Sequence, residues 1–247
     1  MYHFFLTPDS IQGKQVFFPT EVAYQIMRVL RLGAGEKVAV LDNNGMLYTV
    51  VLRIDSAGAL LVGEIISSQM IHTEPKIKIS LFFGLTAREK VEWILQKATE
   101  IGVSAFSPFV SSRTLVTKTE LSENKNKRWQ QIIKEAAEQS GRGRLPVLNQ
   151  PDSLSACLSH VRSEHELCLL AWEGTSEKEL KLKSLKQHFS GGSIALFVGP
   201  EGGFSEDEVI AAKQAGCQVV SLGERILRVE TAAIIFPALV LYELNNF

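Results

Sequence analysis

From Lys76 onward, strand-like apolar runs alternate with helical segments, and this alternation constrains the fold more than any other feature of the chain. "KIKISLFFGL", "VSAFSPFV", "ELCLLAW", "SIALFVG" and "CQVVSLG" read as strands. "AREKVEWILQKATEIG", "KNKRWQQIIKEAAEQSG", "SEDEVIAAKQAG" and "ETAAIIFPALVLYEL" read as helices, with a further short one near Ser153 to Val161. Apolar strands that alternate with helices are buried on both faces, so an α/β fold with a covered parallel sheet is expected. Gly102, Gly141 and Gly216 sit where three of the helices should close. Ser205 and Glu208 have the spacing of a capping box.

The first seventy residues have a different rhythm. "KVAVLDNNGMLYTVVLRI" is two strand-like runs around Asn43-Asn44-Gly45, a hairpin signal, and "ALLVGEII" is another strand. "TEVAYQIMRVLRLGAGE" reads as a short helix ending near Gly33. The expected organisation is a β-rich domain over residues 1–70 and a larger α/β domain over 76–247, joined by the polar stretch "SSQMIHTEP" (Ser67 to Pro75).

The net charge of -1 supplies no global attraction to nucleic acid, so any RNA site must come from local clusters. The three cysteines form no Cys-x-x-Cys pair and the five histidines show no ligand spacing, so no metal is expected, and reduced thiols suit a cytoplasmic protein. No signal peptide is recognisable in "MYHFFLTPDS". The longest apolar run, Ala232 to Tyr242, is too short for a bilayer and contains Pro237, so no membrane partner is expected.

In open parallel sheets, ligands bind in the loops beyond the carboxyl ends of the strands. Three loops qualify: "AWEGTSE" from Ala171, "GPEGG" from Gly199, and "LGERILRVETA" from Leu222. The Walker and G-x-G-x-x-G phosphate patterns are absent. Glu201 lies inside the glycine loop, and Glu206, Asp207 and Glu208 line the helix start behind it. These carboxylates answer the helix dipole themselves and would repel a pyrophosphate, which favours a neutral or cationic ligand such as the sulfonium of S-adenosylmethionine. Taken alone, the glycine loop reads equally well as a tight turn. By composition "LGERILRVETA" is a surface Arg–Glu pair beside a helix cap at Thr231. Arg28, Arg31, Arg113, Arg142 and Arg144, with Gln139 one helical turn after Glu135, are individually ordinary surface residues. Together they could track an RNA backbone, with Arg142 and Arg144 on a flexible tip around Gly143.

"KVEWILQKATEIGVSAFSPFVSSRT", "EAAEQSGRGRLP", "FVGPEGGFSEDE" and "LGERILRVETA", in this order, resemble the ribosomal small-subunit methyltransferase E family, the 16S rRNA uracil-N3 methyltransferases of the SPOUT superfamily. The resemblance covers nearly the whole chain, "RVLRL" included. It implies an N-terminal PUA-like β-barrel that binds RNA and a C-terminal SPOUT domain with a deep trefoil knot. It further implies S-adenosylmethionine as cofactor, a homodimer with the last helix in the contact, and as substrate a uridine in helix 44 of 16S rRNA within the assembled 30S subunit. Gly199, Pro200, Glu201, Gly202 and Gly203 match the first cofactor loop, and Leu222, Gly223, Ile226, Leu227 and Arg228 match the second; Ala171 opens the third. Arg228, Glu230 and Thr231 match the motif that faces the target base. Two positions depart from the family pattern: Gln25 stands where histidine is frequent, and Val229 where threonine is. A SPOUT enzyme for another RNA or atom, or a non-catalytic assembly factor, are the rival readings.

Overall fold

The computed structural model describes residues 1–54, 61–115, 120–174, 182–189 and 191–247. The chain divides into two compact units, one of Met1–Glu74 with Ala137–Leu145, the other of Pro75–Ala136 with Pro146–Phe247.

The first unit is a six-stranded sheet. Its strands are β1 (His3–Phe5), β2 (Ile11–Gln12), β3 (Gln15–Phe17), β4 (Lys37–Leu41), β5 (Met46–Ile54) and β6 (Leu61–Met70), in spatial order β1-β4-β5-β6-β3-β2. The turn at Asn43–Gly45 joins β4 to β5 as expected, with Asn43 and Gly45 at φ 63° and 95°. The β6 strand runs on through Ser67–Met70, which the sequence assigned to a linker. Those polar residues pair with Met46–Thr49, so the length of β5 rather than apolar character decides where β6 ends. Helix α1 (Thr20–Tyr24) continues into a single wide π turn over Gln25–Val29, shorter than the helix expected to Gly33. Arg31 ends it with φ 57°.

Ala137–Leu145 joins this unit by contacts no local pattern could announce. Ala137 is buried with Phe5 and Leu41. The Phe5 amide donates to Glu138 Oε1 at 2.9 Å, and His3 Nδ1 donates to the Glu138 carbonyl at 3.0 Å. The Glu74 carboxylate collects the Arg142 guanidinium (2.5 and 3.2 Å) and the amides of Gly143 (3.0 Å) and Arg144 (3.2 Å).

The second unit is built on a seven-stranded, all-parallel sheet. It contains β7 (Lys78–Gly84), α2 (Arg88–Ile101), β8 (Ala105–Val110), α3 (Glu123–Ser140, whose end from Ala137 belongs to the first unit), β9 (Val147–Leu148), β10 (Asp152–Ser153) and α4 (Leu154–Glu164). After these come β11 (Leu167–Ala171), the short α5 (Leu185–His188), β12 (Ser193–Val198), α6 (Glu206–Gln214), β13 (Gln218–Val220) and α7 (Val229–Glu243). The strand order is β10-β8-β7-β12-β11-β13, with β9 beside β8. Side chains alternate between two buried layers. Ile79, Leu81, Phe83, Leu167, Leu169, Ile194, Leu196 and Val198 pack with α2, α3 and α7 residues such as Ile94, Trp129 and Phe236. Phe82, Cys168, Leu170, Ala195 and Phe197 pack with α4 and α6 residues such as Leu158 and Val209. Period-2 sorting into two covered faces is why these strands read as continuous apolar runs.

Helix ends follow the glycine signals. Gly102, Gly141 and Gly216 have φ of 115°, 70° and 88°, the left-handed conformation that closes a helix. Cys168 on β11 and Cys217 just before β13, distant in sequence, come together, and Cys217 is pushed up by its hydrogen bond to Cys168 and by burial. His165 is a core residue at the end of α4, edge-on to Phe82, with burial holding its imidazole below the ordinary value. Among the described residues no helix is long and apolar enough to cross a membrane.

Candidate functional site

The carboxyl ends of β11, β12 and β13 open onto one cavity of about 510 Å³. All eleven positions expected to touch a cofactor line it: Ala171 from the first loop, Gly199 to Gly203 from the second, and Leu222, Gly223, Ile226, Leu227 and Arg228 from the third. Of the first loop, Thr175–Glu177 lies outside the described residues. Trp172 and Glu173 from the first loop and Arg225 from the third also line the cavity, as does Lys90, which lies outside all three loops and which the sequence does not single out. Lys90 sits in the first turn of an amphipathic helix, where a lysine reads as part of a solvated face.

The glycines have particular jobs. Gly203, at φ 66°, takes a conformation that side chains resist. Gly202 presses on Arg113, where an added Cβ would lie 2.9 Å from Arg113 Cβ. At Gly199 an added Cβ would lie 3.1 Å from the Gly203 carbonyl carbon. The close approach expected from this glycine cluster is thus first an approach of protein to protein, and it folds the loop into a cavity wall.

Arg113 is part of that wall's support. It is exposed, and its Nη1 donates to the carbonyls of Gly202 (3.0 Å) and Phe204 (3.3 Å). The Ser112 amide donates to Glu208 Oε1 at 2.8 Å. The capping box forms as expected: the Glu208 amide donates to Ser205 Oγ at 3.2 Å, and the Ser205 amide donates to Glu208 Oε2 at 2.8 Å. The start of α6 is therefore closed by its own side chains, which suits a ligand without phosphate. Burial raises the Glu208 carboxyl, but the donors from Ser205 and Ser112 outweigh it, and the net shift is downward. A lowered carboxylate stabilises the fold above its unfolded value of about 4.3 and loses that contribution as pH falls through the folded value. Ser205→Ala should cost about 1 kcal/mol and lower Tm by about 2–4 °C. Glu208→Gln should flatten the decline of Tm below about pH 4; thermal melts across pH check both.

Glu201, the one charge inside the glycine turn, is held by two residues from the β7–α2 region. The Thr86 hydroxyl and the Lys90 ammonium (3.0 Å) both donate to its Oε1. Burial pushes the Glu201 carboxyl up, but these donors prevail and hold it below the ordinary range. Lys90 Nζ also stands 3.9 Å from Glu230 Oε2. That oxygen is buried and accepts no hydrogen bond among the described residues.

Helix α7 begins at Val229, one residue before the expected Glu230 and three before a helix capped by Thr231 would begin. Its N-cap is Arg228, in extended conformation and without a side-chain cap, and Thr231 lies inside the first turn. The correction has a simple cause: Val229 is buried in the sheet-side core, which draws the helix back past Glu230. Arg228 lines the cavity, while Glu230 and Thr231 follow behind it. Ile226 is 84% exposed on the cavity loop, an apolar side chain with nothing yet covering it.

The remaining basic positions and Gln139 fall in the first unit. Arg28, Arg31, Gln139 and Arg144 are exposed. Arg142 is not on a flexible tip: it is 4% exposed and paired with Glu74, because the Gly141–Leu145 turn folds onto that carboxylate. Among the described residues no group of three His, Cys, Asp or Glu side chains could hold a metal ion.

Residues 73–241 match the RNA methyltransferase domain family. A "Ribosomal RNA small subunit methyltransferase E" from Synechocystis is 34% identical over 99% of this chain and 77% of its own length. Its namesake from Bacillus subtilis is 31% identical over 98% of this chain and 96% of its own. The crystal structure of a ribosomal RNA small subunit methyltransferase E from Neisseria gonorrhoeae, bound to S-adenosyl methionine, superposes with a TM-score of 0.85 at 30% identity, covering 98% of this chain and 97% of that one.

Proposed function

The chain belongs to the ribosomal RNA small subunit methyltransferase E family, and from that premise we propose that it uses S-adenosylmethionine to methylate N3 of a uridine in helix 44 of 16S rRNA. The observation that carries the proposal is the cavity itself. Three separate loops converge on about 510 Å³, within the range of a small-molecule site. Its wall combines apolar side chains (Ala171, Leu222, Ile226, Leu227) with two carboxylates (Glu173, Glu201) and three cations (Lys90, Arg225, Arg228), and the adjoining helix start is self-capped. The helix start, closed by Ser205 and Glu208, offers no bare amides to a phosphate, which favours a sulfonium nucleoside over a nucleotide. S-adenosylmethionine supplies an electrophilic methyl group when bound.

The chain's own residues must do the rest. Uracil N3 carries a proton at neutral pH, so the site must remove it and stabilise the resulting anion. We assign Arg228, at the cavity edge, to the anionic base oxygen, and Glu230, whose buried Oε2 lacks a hydrogen-bond donor, to the proton. Thr231, in the same helical turn, completes the set facing the base. Val229 is a core residue and takes no part. N3 is buried in a Watson–Crick pair, so the target must be unpaired or flipped.

In the same reading the first unit is a PUA-like barrel that binds RNA through the exposed Arg28, Arg31, Gln139 and Arg144. Arg113 braces the cofactor loop. Support for a trefoil knot comes from the order of the sheet, in which β12 lies between β7 and β11, both of which precede it in the chain. Homodimerisation through α7 would cover its exposed Ile235, Leu239 and Tyr242, which recur at helical spacing. The substrate is the assembled 30S subunit and the setting the cytoplasm. Calorimetry tests the cofactor assignment: S-adenosylmethionine should bind one site per chain and ATP should not. Binding of ATP without binding of S-adenosylmethionine would refute it.

A further inference from the structure

Two carboxylates, one on the glycine loop and one at the start of α7, share a single cation, and they share it unequally. Glu201 Oε1 accepts from both the Thr86 hydroxyl and the Lys90 ammonium. Glu230 Oε2 accepts from no donor among the described residues, although it is buried, and Lys90 Nζ is 3.9 Å away. Buried polar atoms are rarely left without a partner. A small rotation of the flexible lysine side chain would bring its ammonium within hydrogen-bond distance of Glu230. Thr86 would keep Glu201 satisfied after the move.

Lys90 and Glu201 both line the cavity. A cation entering it is attracted by Glu201 and repelled by the ammonium that Glu201 holds. Resting on the reading above, in which the ligand is a sulfonium and Glu230 serves the target base, we infer that Lys90 is a positioning residue for Glu230: a cationic ligand displaces its ammonium from Glu201 onto Glu230 and so fixes the carboxylate for the reaction. A neutral ligand of the same shape lacks that push.

The test compares the full-length protein with Lys90→Met and Lys90→Arg. S-adenosylmethionine, which is cationic, and S-adenosylhomocysteine, which is neutral, are titrated by calorimetry, and single-turnover methylation of small subunits is timed. Removing the ammonium should raise the preference for S-adenosylmethionine over S-adenosylhomocysteine by about tenfold, because Glu201 is then uncompensated. Turnover should fall by about tenfold or more, because Glu230 is no longer held. Binding that improves while turnover worsens is not what a merely structural lysine would produce. Lys90→Arg should restore both readings toward the parent protein. An unchanged ligand preference in Lys90→Met, or affinity and turnover falling in parallel with Tm, would overturn the inference. If Glu230→Gln is inactive and Lys90→Met normal, only this inference fails. If the parent protein binds no S-adenosylmethionine, the functional reading fails with it.

Discussion

Glu230→Gln should slow single-turnover methylation of small ribosomal subunits by about 100-fold while leaving S-adenosylmethionine affinity within about threefold. Glutamine keeps the shape of the side chain and removes the carboxylate that would take the N3 proton. Glu230 is not among the residues lining the cavity and meets the cofactor only through Lys90, so a cofactor titration should sense the change far less than the rate does. Arg228→Ala should have a comparable effect on rate through the lost partner of the anionic oxygen, again about 100-fold. It should also weaken the cofactor somewhat, because Arg228 does line the cavity. The pair separates two functions that lie two residues apart in one turn of α7. Full activity in either variant, folded and cofactor-binding, would remove that residue from the mechanism.

Gly84→Ala should be the most damaging single methyl group near the site. Gly84 ends β7, and an added Cβ would lie 2.6 Å from Pro200 Cδ and 2.8 Å from Pro200 Cα. The contacts are with Pro200 backbone and ring atoms, which cannot swing aside like the end of a long side chain. The chain must either shift β7, which lies in the middle of the sheet between β8 and β12, or push the glycine loop into the cavity. Overpacking of this kind costs about 1–3 kcal/mol, or about 2–12 °C in Tm. The loop is the softer element, so S-adenosylmethionine affinity should fall by more than tenfold, by about 1.4 kcal/mol or more. Calorimetry and thermal melts on one preparation check both numbers. Normal affinity at Gly84→Ala would mean that the loop position does not shape the site.

Much of this arrangement was legible in the sequence because it is local. Strand and helix periods, the closing glycines and the Ser205–Glu208 box depend on neighbours a few residues apart, and they appear in the structure where expected. The convergence of the three loops on one cavity was legible because loops beyond strand ends in a parallel sheet come together by topology. Long-range pairing escaped. Nothing near Glu201 reveals that Thr86 and Lys90 hold it, and nothing near Arg142 reveals Glu74. A buried ion pair and an exposed arginine look alike in one dimension, so Arg142 reads as a free cation from sequence. Thr231 looked like a helix cap because capping rules weigh side-chain oxygens, while burial of Val229 moved the helix start to Arg228.

The central claim is that this cavity methylates N3 of one uridine in the small-subunit RNA. Nucleoside-resolved mass mapping of 16S rRNA from cells lacking the protein, with and without restoration of the gene, tests it most directly. The account predicts loss of a single N3-methyluridine in helix 44, its return with the parent gene, and no return with Glu230→Gln. An N3-methyluridine that persists in the deletion, or a different RNA losing its methyl group, would contradict it.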